Sequence, residues 1–76
     1  MTDQIGYYID VREFRGDSLD GYPKYAGDDT QTAKAMFEQE FDAYDSRLRK
    51  ADLVIELCYR SEKGEVPQMT KLLRDR

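Results

Sequence analysis

The stretch QIGYYIDVREFR, residues 4–15, decides how the rest of the chain is read. Ile5, Tyr7, Ile9 and Val11 alternate with Gly6, Tyr8, Asp10 and Arg12. Successive side chains of an extended strand point to opposite faces, so a period of two predicts a strand with one mainly apolar face. The pattern returns in DLVIELCYR, residues 52–60, where Leu53, Ile55, Leu57 and Tyr59 alternate and predict a third strand. Between the two the period changes. Ala33, Phe37, Phe41, Tyr44, Leu48 and Ala51 recur at steps of three and four, an amphipathic helix from about Thr30 to Lys50. Asp29 is placed to cap its N-terminus. Arg47, Arg49 and Lys50 fall where the last turn favours cations.

The connections complete the outline. Gly16–Gly21 has turn composition, and Tyr22–Ala26 reads as a short second strand. Pro23 cannot donate to a ladder, which puts that strand at an edge. Residues 61–65, SEKGE, predict a hairpin turn. The tail VPQMTKLLRDR, residues 66–76, reads either as a fourth strand or as a short helix opened by Pro67 that buries Met69, Leu72 and Leu73; we prefer the strand. The expected fold is α+β: one ββαββ domain over residues 1–76, with a mostly antiparallel sheet and one helix packed on one face. Its expected core is Ile5, Tyr7, Ile9, Val11, Phe37, Phe41, Tyr44, Leu48, Leu53, Ile55 and Leu57.

Seventy-six residues make one small core and leave little room for a deep catalytic cavity. The net charge of −4 is uneven: residues 1–45 hold 11 acids and 4 bases, residues 46–76 hold 5 acids and 8 bases. An acidic half attracts cationic partners and repels phosphate backbones, so direct nucleic-acid binding is not favoured. There is one cysteine and no sequon, and neither a signal-like segment nor a run of roughly 20 apolar residues is visible. A reducing cytoplasmic setting without membrane contact is the expectation.

Two short words in RGDSLDG, residues 15–21, invite functional readings. Gly16-Asp17-Ser18-Leu19 spells the nucleophile block of the GDSL esterases, but a serine nucleophile needs a base, and the chain has no histidine. Arg15-Gly16-Asp17 spells an adhesion tripeptide, which requires an extracellular loop. The segment is read as a turn. One cysteine and no histidine make no zinc site, and the acids near Gly21 lack calcium-loop spacing. Cys58 is read as a packing residue. No enzyme activity, metal or cofactor is expected.

Two surfaces remain. Glu38, Asp42 and Asp45 share a helical stripe, with Asp28 and Asp29 at its N-terminal end. The stripe suits a basic partner surface; the alternative is an ordinary solvated face with Asp45 and Arg49 paired. The second surface is the uncovered side of the sheet, with Tyr8, Asp10, Arg12 and Phe14 on the first strand and, if the third strand is its neighbour, Val54, Glu56, Cys58 and Arg60 alongside. Tyr22 and Tyr25 flank Pro23 and are expected to be partly exposed. Arginine and tyrosine are enriched where interfaces concentrate binding energy. The residues read as partner-binding are thus Asp28, Asp29, Glu38, Asp42, Asp45, Tyr8, Asp10, Phe14, Tyr22 and Tyr25.

A small acidic chain with strands before and after one helix, the helix opened by DDTQTAKAMFEQEF (residues 28–41), resembles small phage and mobile-element proteins of the anti-CRISPR inhibitor type. The likeness lies in general layout. It implies a non-enzymatic protein that occupies a basic nucleic-acid-binding or assembly surface on a larger host defence complex, in the host cytoplasm. The alternatives are an assembly protein that homodimerises through its sheet, and a weak single-stranded nucleic-acid binder that stacks bases on Tyr8 and Phe14.

Overall fold

The computed structural model describes residues 4–47 and 51–74. The chain order is β1 (Gly6–Glu13), β2 (Lys24–Tyr25), α1 (Thr30–Asp45), β3 (Leu53–Ser61) and β4 (Gly64–Leu73). The strands form one antiparallel sheet in the order β2-β1-β3-β4, and α1 packs across one face. The expected layout is met in part, because the second strand shrinks to two residues. The tail is a strand rather than a helix. Pro67 sits on the outer strand, where its missing N–H is tolerated, beside a register shift between Leu57 and Cys58 that leaves Gln68 unpaired.

Period two and the register together build the core. Val11 pairs with Ile55, Ile9 with Leu57 and Tyr7 with Tyr59, all on the helix side. Ile9, Val11, Ile55, Leu57 and Phe37 are fully buried, and Leu53 and Leu73 close one end. Phe41 and Tyr44 pack on this core half-buried, as Tyr7 does, and Leu48 lies outside the described residues. Ile5 departs from expectation at 49% exposed: the strand begins at Gly6, one residue too late to turn Ile5 inward.

The helix starts as expected. Asp29 caps it by accepting hydrogen bonds from the Thr32 N–H and hydroxyl, both at 2.8 Å, which hold its carboxyl below the usual range. The helix ends at Asp45, short of the expected Lys50. At its end the Ser46 N–H makes a last i→i−4 bond to Asp42 O, the Ser46 hydroxyl takes Ala43 O, and the Arg47 N–H turns to Tyr44 O at i→i−3. Arg47 therefore lies beyond the last turn; Arg49, Lys50 and the expected Asp45–Arg49 pair fall outside the described residues.

Candidate functional site

The side of the sheet away from α1 carries no second layer among the described residues, yet its centre is dry. Register places Tyr8 opposite Cys58, Asp10 opposite Glu56 and Arg12 opposite Val54, the neighbourhood expected from sequence. Tyr8 is 8% exposed and Cys58 1%, less than a solvated face would leave them. The cause is local. The Arg60 guanidinium lies 4.2 Å above the Tyr8 ring, Tyr25 packs edge-on against it at 5.3 Å, and the Tyr8 hydroxyl donates to Gln4 O at 2.6 Å. A guanidinium over a tyrosine ring contributes about 0.5–1 kcal/mol where water remains nearby. Glu65 holds Arg60 from the next strand at 3.3 Å.

The rest of the face is a charge network. Arg12 reaches Asp10 at 3.3 Å and Glu56 at 3.8 Å. Ser18, read as a turn residue, donates its hydroxyl to Asp10 at 2.6 Å, and its backbone bridges to Arg12. The serine thus fixes the 14–21 loop to the sheet. Burial, with the Glu65 carboxylate beside it, pushes the Cys58 thiol up to about 12. A thiol this far from ionisation is a poor nucleophile. Glu56, Cys58 and Glu65 present their ligand-type atoms within 4.8 Å of one another, while the Cys58 thiol itself donates to Tyr8 O at 3.6 Å.

The two ends of this face open into shallow depressions. One of about 640 Å³ is lined by Ile5, Arg60, Ser61, Glu62 and Glu65 beside the β3–β4 hairpin. The other, about 490 Å³, lies against Phe14, Arg15, Asp52 and Arg74. Phe14 is 54% exposed there, beyond the end of β1.

The acidic surface is more occupied than its sequence suggests. Asp29 caps the helix. Glu38 is 3.4 Å from Lys71 on β4, and the Lys71 ammonium also lies 4.3 Å from the Phe41 ring centre. Asp45 is half-buried, and Asp28 and Asp42 are exposed. The stripe therefore runs along the β4 side of the helix.

Tyr22 belongs to neither surface. Its hydroxyl donates to Glu40 at 2.8 Å and accepts from Tyr44 at 3.3 Å, and Lys24 reaches the other Glu40 oxygen at 2.9 Å. Burial, then the Tyr44 and Glu40 contacts, raise the Tyr22 phenol far above its ordinary value. Burial alone would raise Glu40, but the Lys24 and Tyr22 hydrogen bonds outweigh it and hold the carboxyl low. This joint ties the 22–25 segment to α1. Sequence reading passed over Glu40 and Lys24, because partners 16 to 18 residues apart leave no periodic trace.

Comparison of the chain with protein families, curated proteins and solved structures finds no match.

Proposed function

We propose that the protein is a non-enzymatic protein-binding module that meets its partner through the uncovered sheet face. The observation that carries this reading is the Tyr8–Arg60–Glu65 stack, flanked by Arg12, Asp10 and Glu56. These are interface-type side chains already fixed in place before any partner arrives, so little rotamer entropy remains to be lost on binding. The half-exposed Phe14 and Tyr25 at its margin supply apolar anchors. Ser18 committed to Asp10 and a dry, unionised Cys58 support a non-enzymatic reading. Within this proposal the ββαββ layout, the acidic balance and a cytoplasmic setting fit a phage-type inhibitor that occupies a basic surface of a host defence complex.

The test is affinity capture of tagged protein from source or phage-host lysate, with nuclease, at low and high salt. A nuclease-resistant stoichiometric partner is expected. Phe14→Ala with Tyr25→Ala should release it, whereas Asp28→Asn with Asp42→Asn should weaken it modestly. Capture of nucleic acid alone, lost at high salt, would replace the proposal with base stacking on the same face.

A further inference from the structure

The sheet has two long edges, and the described residues cover only one. Along β1, Gly27 O accepts from the Tyr7 N–H, the Ala26 N–H donates to Tyr7 O, the Leu19 N–H donates to Val11 O, and Arg12 bridges to Ser18. Along β4 no described strand pairs on the outer side. Every second residue of an unpaired edge turns its N–H and C=O outward, a ready template for one more strand. Pro67 and the bulge at Gln68 spoil the first half of β4 for this purpose. The regular part is residues 69–73.

We propose that this half of β4 receives an extended segment of a partner protein as a fifth strand, with lysine or arginine at every second position, facing the helix side. The charge of the edge selects this occupant. On the helix side the Lys71 ammonium is paired with Glu38 and laid over Phe41, turned toward the helix rather than along the edge. Asp42 stands exposed one helical turn beyond Glu38. Lysine stems would lie along half-buried Met69 with their ammonium groups toward the Glu38 and Asp42 carboxylates. On the opposite side Thr70 and the 42%-exposed Leu72 fit small apolar residues. A second copy of the chain is disfavoured, because two molecules of net charge −4 would meet edge to edge. The mode is strand addition: backbone bonds supply affinity and alternate side chains supply selectivity.

The proposal rests on the protein-binding reading and is tested apart from it. Labelled protein is titrated with an eight-residue peptide of alternating valine and lysine, and with its valine–glutamate counterpart, while amide shifts and hydrogen exchange are followed. The expected result is protection of amides in residues 69–73, a preference of at least about tenfold for the lysine peptide, and a loss of about fivefold in Asp42→Lys. The exposed Asp42 site keeps that variant folded, which its amide spectrum checks. Shifts confined to the uncovered face, equal affinity for both peptides, or β4 protection through self-association without peptide would overturn it. A silent titration beside a captured partner removes only the edge; the absence of any captured partner removes the binding module.

Discussion

The two edges of the sheet solve one problem by different means. Beside β1 the chain lays its own residues 17–27 along the strand and locks them to the helix through Tyr22, Glu40, Tyr44 and Lys24. Beside β4 no described strand pairs, and the open backbone is guarded by side chains: Pro67, the Gln68 bulge, and Lys71 turned inward. A covered edge is insensitive to single surface changes but depends on close backbone approach. A guarded edge is tolerant of steric change and sensitive to charge.

The largest expected effect strikes what both edges share. Phe37 is fully buried between α1 and the sheet. Phe37→Ala should cost about 3–5 kcal/mol, enough to unfold a domain of this size; a cooperative urea transition at the wild-type midpoint would contradict the assigned core. Next comes a pair of glycines. A Cβ on Gly6 would stand 2.8 Å from Gly27 O at the covered edge, with φ at +146°, while one on Gly64 in the hairpin of the bare edge meets nothing within 4 Å at φ +118°. Gly6→Ala should therefore be the more damaging, by about 1–2 kcal/mol beyond the backbone strain common to both. Equal thermal midpoints would dissolve the contrast.

The joint at the covered edge is the third target. The Tyr22 phenol is held above the ordinary tyrosine value of about 10. The folded chain then keeps a proton that the unfolded chain releases, so the joint is at full strength below pH about 10 and weakens as pH rises past it. Glu40 is held low, so its contribution is present above the ordinary glutamate value of about 4.3 and fades as pH falls through its folded value. Tyr22→Phe should cost about 1 kcal/mol at neutral pH and flatten the alkaline limb of stability against pH, read by denaturation at a series of pH values. An unchanged alkaline limb would place the titration elsewhere. Smallest in stability is Lys71→Met, within about 0.5 kcal/mol, yet it removes a guard. Sedimentation should show concentration-dependent association that the parent lacks, and a monomeric variant would assign the guarding to Pro67 and the bulge alone.

What the sequence disclosed follows the same division. Alternation in residues 5–12 and 53–60 marks β1 and β3 and sorts their residues onto two faces, because a strand's period is local; that the two strands are neighbours, with Tyr8 opposite Cys58, is set by the fold. Asp29 was legible for the same reason. The end of α1 was not: the Ser46 hydroxyl and the Arg47 N–H take up its last carbonyls, whereas the apolar period runs on to Ala51, which lies outside the helix. The acidic stripe lies on the helix positions its spacing marks, but the ion pair that engages Glu38 left no trace in the sequence. Lys71 lies 33 residues from Glu38 along the chain, and only the fold brings them together. The dryness of Tyr8 was hidden likewise, since it depends on Arg60 folding back over the ring.

That dryness gives the protein a built-in clock. Cys58 is its only cysteine, sits 1% exposed and ionises near 12. A disulfide reagent can meet its thiolate only when the groups packed over it move aside, so labelling in the native protein records the opening of this face. With reagent in excess the rate becomes that of opening; with reagent scarce it reports how often the open form is populated. No probe need be introduced, and a bound partner that seals this face would be seen as the clock slowing.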